Sequence, residues 1–288
     1  MTRLARWWME PVPSGRVAVF RVLVYLYVPL DVFLFTPWVA QHGGLPTALY
    51  QPLTIGRLLH LPTPTHTVVE VVRWLLVAAA LVAASGRAPR LSGTVVFALY
   101  LEWMVVAMSY GKVDHDRFAF LVALAVLPTV GATRFGDRSR SASAGWALRM
   151  VQVAVVLTYF LAAWAKIRFG GWDWPTGATL ARAIVRRGTV LSTWMLDYPT
   201  LLVAGQFLMI GAELCSPLLL LARSDRARCA AVGLLLGFHV SVFAGITIIF
   251  LPHVVAIMSL LPSERLRLPG RAERSVQPAR DARRDALA

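Results

Sequence analysis

Long apolar runs follow one another along this chain with only short polar breaks, and no other feature limits its fold so sharply. A hydrocarbon core takes about 20 mostly apolar residues for each helical crossing. Eight segments approach that length: Val17–Phe35, Thr67–Ala84, Ser92–Ser109, Phe118–Gly131, Ala147–Ala165, Thr200–Ala222, Ala227–Ala244 and Thr247–Leu261. Only helices or closed barrels satisfy the backbone in lipid, and none of these runs alternates as a barrel strand does. The expected fold class is all-α, a polytopic transmembrane helical bundle of about eight spans. The last two runs nearly touch. A single bent helix broken at Gly245 or Pro252 would reduce the crossings to seven.

Charge then sets the orientation. The formal charge of +14 is carried almost wholly by arginine, since Lys112 and Lys166 are the sole lysines. These arginines lie between apolar runs rather than on one face, which excludes a nucleic-acid-binding reading. One set of alternate loops collects Arg3, Arg6 and Arg16, then Arg87 and Arg90, then Arg134, Arg138 and Arg140, then Arg223, Arg226 and Arg228. The opposite set holds Arg57, Lys112 and Arg117, besides the long loop Ile167–Pro199. By the positive-inside rule both termini are cytoplasmic, and the protein belongs in the cell membrane. The bundle is expected over residues 1–262. A disordered basic tail follows over 263–288, rich in Arg, Ala, Pro and Glu. The start is basic and lacks the pattern of a cleaved signal peptide. Cys215 and Cys229 have no metal or redox spacing and read as free thiols. Within the long outer loop, Trp174-Pro175-Thr176 opens a short interfacial helix that ends near Gly188.

Function is sought among ionisable residues inside spans, each of which costs roughly 2.5–3.5 kcal/mol to insert. They are Arg21, Asp31, Glu102, Lys166, Glu213 and His239, with His115 just ahead of the fourth span. Bland readings compete for each. Arg21 lies one turn inside its span and can snorkel. Asp31 can cap or pair locally, while Glu102 and Glu213 can bond a neighbouring helix. His239 suits an interhelical hydrogen bond, and no second histidine stands three or four residues away to make a metal site. Lys166 differs, because arginine would anchor equally well whereas a buried lysine can lose its proton and act as a base. It falls at the outer end of the fifth span, the same face at which His115 begins the fourth.

At these residues the chain resembles a known family. Tyr159-Phe160-Leu161-Ala162-Ala163-Trp164-Ala165-Lys166, followed by Trp172 and Gly177, is similar to a segment of the vitamin K-dependent gamma-carboxylases and of their bacterial relatives with the horizontally transferred transmembrane (HTTM) domain. Arg16, Arg21, Asp31 and Gly43-Gly44-Leu45-Pro46 resemble the family's first span and outer loop. Asp114-His115 resembles an Asn-His pair, and Phe238-His239 with Phe250 and Pro252 resembles a late Phe-His and Phe-Pro pattern. The likeness runs from about residue 14 to 262.

It implies a menaquinol-type (vitamin K) hydroquinone as cofactor, no metal, and quinol epoxidation coupled to carboxylation of a glutamate side chain. Lys166 would be the base and His115 its helper, with Asp31, Glu102, Trp172, Glu213 and His239 in the quinol pocket. The implied partners are the bilayer, the lipid quinol and a peptide or protein substrate. The family's large extracytoplasmic domain has no counterpart in this sequence, and Ala165 stands where the animal enzymes have a second lysine. Both departures point away from peptide carboxylation. A non-catalytic multi-pass module for immunity, assembly or partner binding is the competing expectation. A transporter is less well supported, since paired Gly/Pro-broken half-helices are missing.

Overall fold

The computed structural model describes residues 2–265, so of the tail expected over 263–288 all but the first three residues lie outside the described part. The helices in chain order are α1 (Arg3–Trp8), α2 (Ser14–Leu30), α3 (Thr54–Leu58), α4 (His66–Ala84), α5 (Pro89–Met108) and α6 (Phe118–Val126). After them come α7 (Ala142–Gly170), α8 (Asp173–Thr176), α9 (Thr179–Arg187), α10 (Pro199–Leu214), α11 (Asp225–Ile246) and α12 (Leu251–Ile257). The architecture is all-α. A two-residue antiparallel pairing of Val12–Pro13 with Arg140–Ser141 is its one described piece of sheet.

Local chemistry sets the ends of the long helices. The hydroxyls of Thr65, Ser141 and Ser224 accept from the backbone N–H three residues on and so cap α4, α7 and α11. Proline at the first turn opens α5 and α10, where a missing donor costs nothing. Gly171, at φ +58°, stops α7. Pro29, inside α2, removes one helical donor, and the next turn widens into a π-helical turn, Asp31–Phe35.

Five helical segments are long and apolar enough to cross a membrane: Ser14–Phe35, α4, α5, α7 and α11. They match the first, second, third, fifth and seventh expected runs. The other three expected runs are broken pieces. Phe118–Gly131 becomes the 9-residue α6 followed by a 3-10 turn at Leu127–Thr129, because Pro128 interrupts it. Thr200–Ala222 divides at Cys215, with a 3-10 turn over Ser216–Leu221 that contains Pro217. The last two runs are separate helices, since Thr247 in the left-handed conformation (φ 54°) ends α11 and α12 restarts at Leu251.

The helices form a connected pack in which α4 lies against α2 and α5, α6 against α5 and α7, and α10 against α7; α12 wedges against α2, α6 and α7. Trp103, Tyr25, Tyr100, Phe20 and Phe120 fill the centre. By contrast α11 buries only 17% of its most apolar stretch and α4 22%, so most of their apolar surface faces away from the protein, as it would toward lipid. Inside such a bundle close packing replaces the hydrophobic drive, and small residues let helices approach. Gly93 of α5 lies directly against the Tyr25 hydroxyl of α2 and Pro128.

Four sequence-distant segments meet at one end of the bundle. Beyond the Val12–Ser141 pairing, Arg16 donates twice to the carboxylate of Glu264, at 2.8 and 2.7 Å. Arg149 reaches Glu10 at 3.3 Å, and Arg265 pairs with Asp225. Arg21 does not snorkel to this end. It is buried, and its guanidinium donates to the carbonyls of Leu127, Val130 and Gly131, capping the segment that follows α6.

Candidate functional site

Helix α7 carries the site, because 29 unbroken residues let one face persist through several turns. Thr158, Tyr159, Ala162, Ala165 and Lys166 recur at intervals of three and four and all face one cavity of about 620 Å³. That is the size of a typical small-molecule site. From α11 the same spacing contributes Phe238, His239, Val242 and Ile246. The cavity is also lined by Glu213 and Met209 of α10, by His115 and Asp116 from a 3-10 turn ahead of α6, and by Phe250 and His253 at and just before the start of α12. Its walls are otherwise apolar.

One end is charged. Helix α7 runs on past Ala165 to Gly170, so Lys166 stands inside its last turns and not at its tip. Its Nζ donates to both carboxylate oxygens of Glu213, at 2.5 Å each. The Trp174 ring lies 5.1 Å from the same nitrogen, a cation–π distance. Side-chain exposure is 20% for Lys166 and 7% for Glu213, and both side chains line the cavity.

The other end is built of imidazoles and a phenol. Tyr159 and His239 are hydrogen-bonded at 2.6 Å, linking α7 to α11. His253 packs its ring against that of Tyr159 at 4.8 Å and lies 5.7 Å from His239. It is 2% exposed, and neither of its ring nitrogens has a partner among the described residues. His115 is exposed where it meets the cavity, 6.2 Å from the Phe250 ring. Beside it, burial pushes the Asp116 carboxyl up, against the opposing pull of Arg117.

The residues singled out in the sequence thus part company. Lys166, Glu213, His115 and His239 line one cavity. Asp31, Glu102 and Trp172 do not. Asp31 is fully buried elsewhere, pairing with Arg117 and accepting from Tyr27 at 3.2 Å and Tyr100 at 2.9 Å. Glu102 is buried in α5 with no partner for either oxygen among the described residues. Trp172 is 72% exposed because the turn after Gly171 aims it outward, and Trp174 takes the place beside the amine. Tyr159, His253 and Asp116 were not singled out. The seven-residue spacing from Tyr159 to Lys166, two turns on one face, was the available signal for the first. His253 carries no such signal, because nothing in the sequence fixes which way α12 turns. Among the described residues no group of three or more His, Cys, Asp or Glu side chains is placed to hold a metal ion.

Fold and site together define a class: an all-α bundle with a membrane-length apolar exterior and an amine–carboxylate pair set in an apolar cavity. No family model, curated protein or solved structure matches the chain.

Proposed function

We propose that this chain is a multi-pass membrane enzyme of the HTTM type that binds a lipid hydroquinone and uses Lys166 as the base toward it, in the manner of the vitamin K-dependent gamma-carboxylases it resembles. The carrying observation is that Lys166, Glu213 and His239, picked as ionisable residues from three separate runs, share one apolar cavity with His115 from just ahead of a fourth. The residues fit such a guest: apolar walls suit a ring and its lipid tail, and polar groups stand at both ends. When bound, a hydroquinone with oxygen would supply the reducing power and the strong base that the family's carboxylation needs. Lys166 accepts the proton of the nearer phenolic oxygen while Glu213 holds the one that the amine gave up. Trp174 shields the pair from water, and His115 stands at the cavity's rim to steady the ring.

In this reading the chain crosses the cell membrane eight times with both termini cytoplasmic. The broken pieces, completed by their 3-10 turns, serve as the three shorter crossings. Supporting this, the N-terminal segment, residues 140–141 and residue 264 lie together at one end of the bundle, as an even number of crossings requires.

Purified protein given menahydroquinone and oxygen is expected to form the quinone epoxide, and Lys166→Ala to abolish it. Full activity of that variant would remove Lys166 from the mechanism. The Lys166–Glu213 bond itself favours one competing reading, since a satisfied ion pair can serve merely to clamp α7 to α10 in a partner-binding module. In that case neither protein forms epoxide, and Lys166→Met together with Glu213→Leu leaves the protein's partner interaction intact.

A further inference from the structure

We infer that His253 is a ligand-binding residue, which hydrogen-bonds the oxygen that a ring held in the cavity carries on the side away from Lys166. The inference rests on the hydroquinone reading for the identity of the ring and goes beyond it in assigning how the far oxygen is recognised. On this assignment the cavity selects rings with two opposed oxygens over rings with one.

A neutral imidazole has one donor and one acceptor, and the great majority of buried polar groups find partners. His253 is 2% exposed and finds none for either nitrogen among the described residues. Its neighbours do not need it. The Tyr159 hydroxyl is already bonded to His239, and the His253 ring merely packs edge-on against the Tyr159 ring. Its position on the cavity wall leaves the cavity as the place where a partner can arrive. His239 Nδ1 is also unpartnered, but that ring is only partly buried and is engaged through Nε2.

His253 and Lys166 are set apart along the cavity. Tyr159 and Lys166 are seven residues apart on α7, which sets them on one face and about 10 Å apart along the axis. His253 sits at the level of Tyr159.

The test uses the full chain in detergent and follows quenching of tryptophan fluorescence by 1,4-dihydroxynaphthalene under argon and by 1-naphthol, which lacks the far oxygen. Wild type is expected to bind the diol about ten-fold more tightly than the mono-ol, the weight of one hydrogen bond. His253→Phe should bring the diol down to the level of the mono-ol and leave the mono-ol unchanged. His253→Gln, which keeps a donor and an acceptor, should recover part of the preference. The ligand-free His253→Phe protein should melt no lower than wild type, because no internal hydrogen bond is lost. The inference is overturned if His253→Phe keeps the preference, weakens both ligands equally, or melts well below wild type. Wild type that binds neither ligand overturns the hydroquinone reading as well. If wild type prefers the diol and His253→Phe prefers it equally, this inference alone falls.

Discussion

Arg117 and Asp31 meet where α6 begins and the first span loosens, and neither charge is tolerable there without the other. Asp31 is fully buried and Arg117 nearly so, with Tyr27 and Tyr100 completing the carboxylate's bonds. Breaking a buried pair by removing one partner costs about 3–5 kcal/mol. Asp31→Asn is therefore expected to lower the melting midpoint in detergent by several degrees. It should also weaken ligand binding, because Arg117 anchors the turn that holds His115 and Asp116 against the cavity. The rarity of ionisable residues in apolar runs made Lys166, Glu213, His115 and His239 visible in the sequence. It made Asp31 and Glu102 visible for the same reason, although they face elsewhere. Insertion cost tells that a charge needs company, and helix rotation decides whose. That rotation is fixed by packing between distant segments, which a single sequence does not display. Arg21 illustrates this. Its depth suggested snorkelling, yet the carbonyls it caps lie more than 100 residues away.

Among the elements, the crossing of α2 and α5 depends on a missing side chain. A Cβ at Gly93 would press on the Tyr25 hydroxyl and on Pro128. Overpacking of this kind costs about 1–3 kcal/mol. Gly93→Val is expected to lower the thermal midpoint, whereas Gly211→Ala, at a position with open space around the Cβ, should leave it unchanged. The five long helices were legible to within about five residues at each end, because apolar length is a local property. The three short pieces were not. Pro128 and Pro217 break their helices where hydropathy averages straight across them, and the left-handed Thr247 has no local signature, since threonine rarely takes that conformation.

Taken whole, the molecule is fastened at one end by the Arg16–Glu264 contact, which joins the first span to the last described residues. Burial would raise the Glu264 carboxyl, but the hydrogen bonds and charge of Arg16 outweigh it and hold the group below its ordinary value. A carboxyl depressed in the folded state adds stability that is complete above its unfolded value and is lost as pH falls through the folded one. Melting midpoints should therefore decline from about pH 6 to about pH 3, and Glu264→Gln should flatten part of that decline. A variant that declines as steeply as wild type would show that other carboxylates govern acid sensitivity.

The cavity wall is assembled from residues as far apart as His115 and His253. Chains are made from the N-terminus, and early segments can settle before later ones exist. The ion pair of Lys166 and Glu213 is available as soon as α10 has been inserted, while the chamber beside it stays open on one flank. Helix α12, which follows α10 and α11 in the chain, supplies that flank together with His253, whose ring nitrogens have no partner among the described residues. The Lys166–Glu213 pair can therefore form before the cavity beside it is complete. A nascent chain halted ahead of Pro252 would hold the amine and its carboxylate next to an unwalled gap, unable to retain a guest.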